Sequence, residues 1–268
     1  MGLHCQDTAG GSANLIAKSS TTHDPTTVSL TSSSPMAYVG NYKYPSSSYG
    51  QPVTFTATVT GGATYAGDPG LSSWPAPTGE VIFYNDSNNN DANANVLGTG
   101  TLSTKHGVTT ATLTTSGLGP VSPGYSSAGT VDTISAYYVG DAKSLGTSST
   151  PVGQAVDADT TSVGVHASPN PSYSAAPTTL KVTVTPSRTG PAHLTGSVEF
   201  FTQSGSIYLG SALVSTMAGV TTATTTTTAL PAGTDLITAD YTGDANYTAS
   251  TSSSTTQTVH ALGQPRRH

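Results

Sequence analysis

The stretch Gly233 to Ser250, G-T-D-L-I-T-A-D-Y-T-G-D-A-N-Y-T-A-S, constrains the fold most, because it has a second copy. Asp132, Ile134, Ala136, Tyr138, Gly140 and Asp141 stand 103 residues before Asp235, Ile237, Ala239, Tyr241, Gly243 and Asp244. Each copy sets apolar residues at alternate positions, the period of a half-buried strand, and then stops on a Gly-Asp turn. Repetition at one fixed offset marks a tandem array of a single unit.

The remaining segments have the same character. Val53-Thr54-Phe55-Thr56-Ala57-Thr58-Val59 alternates apolar with hydroxylated residues, and Thr179–Val184 alternates apolar with polar ones. Glu80–Tyr84 pairs with Gly196–Phe201, and Gly107–Leu113 with the run beginning at Gly219. Leu145–Val156 reads as one closing strand, matched by the strand that ends Gln257-Thr258-Val259. About seven short strands per unit, turn signals between them and no helical period predict an all-β sandwich, twice over. The threonines of residues 221–228 are expected on an outer face.

Length allows two domains of about 100–130 residues, each large enough for its own core. The expected order is an N-terminal arm or remnant of a preceding repeat (1–25), a first domain (26–156), a second (160–260) and a tail (261–268). Only Asp157, Ala158 and Asp159 lie between the units, which permits a hinge but excludes a free tether.

Charged residues make up 8% of the chain and the net charge is −6, so no basic stripe exists for a nucleic acid. No apolar run approaches the ~20 residues of a membrane span, so no membrane insertion is expected. Met1 to Cys5 has neither a basic nor an apolar signal region. The single cysteine, Cys5, leaves both cores without an internal disulfide.

Offsets between matched residues fall from 125 at Phe55 to 117 at Gly79, 112 at Gly107 and 103 at Tyr138. The first unit therefore has longer connections. Tyr38, Tyr42, Tyr44, the run Asn85–Asn95 and Pro120–Tyr125 are expected to supply packing against the second domain. The insertion Gly61–Pro77 holds Trp74 and Tyr65, the candidate ligand-binding aromatics, against the plainer expectation that they pin their own loop.

Asp86-Ser87-Asn88-Asn89-Asn90-Asp91 spaces oxygen donors as a calcium loop does, which makes Asp86, Asn88, Asn90 and Asp91 candidate ligands. Glycine is missing at the sixth position, no acid stands at the twelfth, and Asn and Asp favour turns without metal. No other cofactor is expected. Gly140 and Gly243 are predicted to take positive φ, and Asp141 and Asp244 to cap their own turns. Tyr138 and Tyr241 are predicted core tyrosines whose hydroxyls reach backbone at the strand end. The seven histidines are scattered, and Glu80 and Glu199 sit at non-equivalent positions, so no catalytic pair is legible.

Gly50-Gln51-Pro52-Val53-Thr54-Phe55-Thr56-Ala57, Pro77-Thr78-Gly79-x-Val81-x-Phe83, Gly107-Val108 and Ile237-x-Ala239-x-Tyr241-x-Gly243-Asp244-x-x-Tyr247 appear in order. This pattern resembles the bacterial immunoglobulin-like repeat domains of large surface proteins. The resemblance spans roughly 26–260 and implies two tandem immunoglobulin-like β-sandwiches, extracellular or at the cell surface, with no catalysis. In the first unit Ser144 replaces Tyr247, with Leu145 as the expected substitute anchor. Three roles follow. The first is a structural or adhesion module for a protein or glycan surface partner. The second is a self-associating filament subunit adding Asn14-Leu15-Ile16-Ala17 to a neighbour's sheet edge. The third is a carbohydrate-binding module using Trp74.

Overall fold

The computed structural model describes residues 23–61, 75–86, 95–120, 131–202 and 207–262, and every regular element among them is a strand. Four sheets form two facing pairs. The first pair opens with β1 (Thr26–Ser32), β4 (Val53–Gly61), β8 (Val108–Thr115) and β7 (Ser103–Lys105), hydrogen-bonded in that order. Opposite lie β2 (Met36–Val39), β3 (Tyr42–Ser48), β11 (Val152–Asp157), β9 (Val131–Tyr138), β5 (Glu80–Asn85) and β6 (Asn95–Thr101), with β10 (Thr147–Ser148) paired to β9.

The second pair repeats the plan. One sheet runs β12 (Thr161–Ser168), β14 (Thr178–Pro186), β18 (Val220–Thr227) and β17 (Ser215–Met217). The other runs β13 (Ser172–Tyr173), β21 (Thr255–His260), β19 (Gly233–Tyr241), β15 (Ser197–Thr202) and β16 (Ile207–Leu213), with β20 (Ser250–Thr251) on β19. Within each pair all partners are antiparallel except one. After the first strand the chain crosses to the other sheet and pairs parallel with the last strand, β3 with β11 and β13 with β21.

Alternation drives the packing. On β4 and β14 every second residue from Val53 and from Thr178 is buried, and the intervening residues are partly or fully exposed. Phe55, Phe83, Ile134 and Tyr138 share one interior at 0% exposure, as do Leu180, Phe200 and Ile237 in the second sandwich. Burying an aromatic or aliphatic side chain of this size stabilises by about 1.5–3 kcal/mol.

Three sequence expectations are corrected. The closing strand of the first unit is not continuous from Leu145, because Ser149 and Pro151 interrupt it. Ser149 engages Ala136 through both its N–H and its hydroxyl oxygen, and Pro151 has no N–H for a ladder. The threonines of β18 are not confined to the outer face: Thr221 and Thr227 are buried, while Val220 is half exposed. The Thr221 hydroxyl pairs with that of Thr216 at 2.7 Å, which makes its burial tolerable. Thr109 repeats this in the first sandwich, with Thr104 at 2.8 Å. Leu145 is 48% exposed and anchors nothing in place of an aromatic.

Phe200→Ala empties the middle of the second core, and thermal or urea unfolding is expected to show a loss of about 3–5 kcal/mol.

Candidate functional site

Two matched turns and one junction concentrate the ordered polar groups. In the first sandwich, Asp141 follows Gly140 just after β9. Its Oδ1 accepts the N–H groups of Lys143 and Ser144 at 2.8 and 2.7 Å. Its Oδ2 accepts both the N–H and the hydroxyl of Thr78, each at 2.8 Å. The Tyr138 hydroxyl donates to the Thr78 carbonyl at 2.9 Å, so the peptide leading into β5 is held from both sides.

The second sandwich repeats this clip. Asp244 Oδ1 accepts the N–H groups of Asn246 and Tyr247 at 2.8 and 2.9 Å, and Oδ2 accepts the N–H and hydroxyl of Thr195 at 2.7 and 2.9 Å. Tyr241 donates to the Thr195 carbonyl at 2.7 Å. Gly140 and Gly243 take φ of +90° and +76°, and a Cβ on Gly243 would lie 2.7 Å from the Ala249 nitrogen. Only glycine fits there.

Self-capping of the turn is therefore half of what each aspartate does, and the tie to Thr78 or Thr195 is the other half. Sequence reasoning missed those threonines. The available signal was that Thr-Gly and Tyr-x-Gly-Asp recur together in both copies.

Electrostatics follow from the geometry. Burial alone would raise the Asp141 carboxyl, but the Lys143 N–H, the Thr78 hydroxyl and N–H, and the Ser144 N–H outweigh it. They hold it well below the usual carboxylate range. Burial, and then the neighbouring Asp141 charge, push the Tyr138 hydroxyl up; burial and Asp244 do the same to Tyr241.

The junction pairs Tyr247, which the sequence marked only as a turn aromatic, with Tyr49, which sequence reasoning did not single out. Tyr49 is buried, and its ring meets that of Tyr247 edge-on, with centroids 5.4 Å apart and planes at 90°. Its hydroxyl accepts the Ala192 N–H at 2.8 Å. The Tyr247 hydroxyl accepts the Gly190 N–H and donates to the Ala192 carbonyl, both at 3.3 Å. Gly50 (φ +76°) and Gly190 meet backbone to backbone, and a Cβ on Gly190 would overlap the Tyr49 ring.

The connecting residues are held as well. The Asp157 carbonyl accepts the Tyr49 N–H at 2.8 Å. Asp159 is buried, exchanges backbone bonds with Asn246 and Thr248, and binds Arg188 through both its N–H and its guanidinium at 2.6 and 2.8 Å.

Two of the aromatics expected at this interface are elsewhere. Tyr38 and Tyr42 lie on the β2–β3 hairpin at 72% and 63% exposure, with the Lys43 ammonium 4.7 Å from the Tyr38 ring centroid. The long connection between β1 and β4 reaches the second sandwich through Tyr49 instead.

Trp74, Tyr65, Asn88, Asn90 and Asp91 lie outside the described residues, as do Cys5 and the arm Asn14–Ala17. Asp86 is partly buried, and its N–H donates to the Thr133 carbonyl at 2.7 Å. Among the described residues no three His, Cys, Asp or Glu side chains converge to hold a metal ion. No helix among them is long and apolar enough to cross a membrane.

Two outcomes are expected. Because the folded Asp141 value is lowered, its contribution is present above the ordinary 3.8 and is lost as pH falls below it. Asp141→Asn should flatten the acid limb of the stability–pH curve below about pH 4 and lower stability at neutral pH by about 1–2 kcal/mol. Tyr49→Ala should leave both cores folded while ¹⁵N relaxation shows the sandwiches tumbling with separate correlation times; a single shared correlation time in this variant would refute the role of Tyr49 in the junction.

No curated protein matches the chain. Among solved structures, an Escherichia coli adhesin, FdeC, is similar at 13% identity and TM-score 0.32 over 89% of this chain and 64% of that one. The Yersinia pseudotuberculosis adhesin InvE is similar at 14% identity and TM-score 0.35 over 90% of this chain and 59% of that one. The C-terminal domain of the Streptococcus agalactiae AgI/II polypeptide BspA is similar at 8% identity and TM-score 0.25, covering 88% of this chain and 100% of that one. The chain thus spans less than two thirds of the two adhesin chains. The profile of the bacterial Ig-like domain, group 3, matches residues 165–260. The chain is therefore an all-β protein of immunoglobulin-like fold, with residues 165–260 matching the bacterial Ig-like domain of group 3.

Proposed function

We propose that the chain is a non-catalytic structural and adhesive module, two Ig-like sandwiches in tandem, displayed outside the cell. One observation carries this: the sandwiches meet through a built junction, in which Tyr49 meets Tyr247 edge-on and the connecting residue Asp159 is tied to Arg188. A module that presents a partner at a distance, or carries load along its length, needs such a joint, because a free linker absorbs displacement before it transmits force. The clips support the same role. Each places a carboxylate where it ties two turns of one sandwich, and both oxygens are occupied by structural donors rather than left for substrate.

The two sandwiches differ in what they offer outward. The β2–β3 hairpin, with Met36, Tyr38 and Tyr42 exposed, belongs to the first alone; the second has only the two-residue β13 at that place. Exposed tyrosines supply apolar area with a polar tip, which suits a protein or glycan partner. Self-association through an added strand and glycan binding by Trp74 are alternative roles for the same fold.

Antibodies raised against the folded pair are expected to label intact source cells. Labelling that requires permeabilised cells would overturn an extracellular module.

A further inference from the structure

The two sandwiches are not interchangeable beneath the start of β9 and β19. Asp132 faces Gln154 across β9 and β11, and Asp235 faces Gln257 across β19 and β21. All four side chains are buried. In the first sandwich the Gln154 Oε1 accepts the Ser32 hydroxyl at 2.6 Å, and Asp132 accepts the Asn85 amide at 3.0 Å.

The second sandwich has lost both of those donors. Strand register puts Ala167 where Ser32 stands, since Ser32 pairs with Phe55 and Ala167 with Leu180. It puts Thr202 where Asn85 stands, since these pair with Ile237 and Ile134. The Thr202 hydroxyl reaches Asp235 Oδ1 at only 3.3 Å and is shared with the Leu236 carbonyl at the same distance.

Among the described residues Gln257 Oε1 is consequently left without a hydrogen-bond partner, and Asp235 Oδ2 has none either. The glutamine cannot be turned to relieve this. Its Nε2 donates to the Pro169 carbonyl, the Ser172 hydroxyl and the Thr258 carbonyl at 2.9, 3.1 and 3.1 Å, and all three positions demand a donor or tolerate one.

Two acceptors on directly opposed side chains are both satisfied if one of them gains a proton. We propose that Asp235 is protonated in the folded protein and that its Oδ2–H donates to Gln257 Oε1, making the second sandwich firmer in mild acid. The charge environment agrees. Burial pushes the Asp235 carboxyl up, and the Thr202 hydroxyl opposes it only in part. No ionised group faces it among the described residues. His166 on β12, Lys181 on β14, Glu199 on β15 and His260 on β21 are exposed, Tyr173 on β13 and Tyr208 on β16 are more than half exposed, and Asp240 of β19 sits on the alternate face.

The sign is the reverse of the usual carboxylate case. With the folded value raised, the contribution is complete below the ordinary 3.8 and disappears as pH climbs through the raised value.

A ¹³C NMR titration of the aspartate carboxyls in the full chain tests this, with Asp235→Asn for assignment. Asp235 is expected to titrate above every other aspartate that is observed. Thr202→Asn, which installs the amide donor of the first sandwich, should move that titration down. Asp235→Asn should raise the melting temperature at neutral pH by about 4 °C or more, and the gain should vanish near pH 4. Asp235 titrating in the ordinary carboxylate range would overturn the proposal, because the donor would then be a trapped water. A neutral-pH melting temperature lowered by Asp235→Asn would overturn it too.

Discussion

A β-sandwich holds its two sheets together by what lies between them and by how its ends are closed. Without a disulfide across the described core, closure falls to hydrogen bonds, and one carboxylate in each unit provides it. Asp141 and Asp244 each gather two donors from their own turn and two from the Thr-Gly segment that enters the next strand, and Asp244 also accepts the Tyr241 hydroxyl. A carboxylate suits this position because it has two oxygens with about four lone-pair sites and no donor of its own. Charge-assisted bonds of this kind are roughly twice as strong as neutral ones. The tyrosine three residues earlier completes the tie from within the core, so turn and hydrophobic interior fix one another.

The other end of each sandwich is closed by a buried glutamine on the last strand. Gln154 and Gln257 are fully buried and bond to the segment where the first strand changes sheets. An amide serves here because the crossing segment offers both carbonyls and hydroxyls, and a side chain with donor and acceptor can bridge them. Where the surrounding donors change, as from Ser32 to Ala167, the glutamine stays and the imbalance moves onto its neighbour Asp235. A buried polar network is thus conserved in outline while its protonation is open to adjustment.

Much of this was legible in the sequence. Alternation placed Phe55, Phe83, Ile134 and Tyr138 in a common interior, because a period of two leaves only one face to bury. The repeat located the glycines with positive φ. What escaped was whatever depended on pairing distant segments. Thr78 and Asp141 are far apart in the chain, and nothing local in either marks the other. Thr221 was expected outward with the rest of its threonine run, yet threonine and valine are nearly isosteric, and Thr109 is buried in the same way. The register of β8 and β18, set by Ala111 and Ala223 on the inner face, decides the matter. Tyr49 escaped for another reason: comparing two copies reveals only what they share.

That last point bears on how the pair behaves. In the second sandwich the positions of Tyr49 and Gly50 are taken by Ser174 and Ala175, since Tyr49 and Ser174 make the same bond to the end of the last strand. In the first sandwich Tyr247 is replaced by Ser144, each bridging to the aspartate before its first strand. The ring that projects and the ring that receives it therefore each occur in only one of the two copies, and they occur at the one place where they meet. Substituting either copy for the other would keep the fold and lose the joint. The joint is accordingly a property of this ordered pair rather than of the repeating unit. The joint rests on the rings of Tyr49 and Tyr247 and on Gly50 and Gly190, which let the backbones touch, while Asp159 and Arg188 fix the connecting residues to the second sandwich.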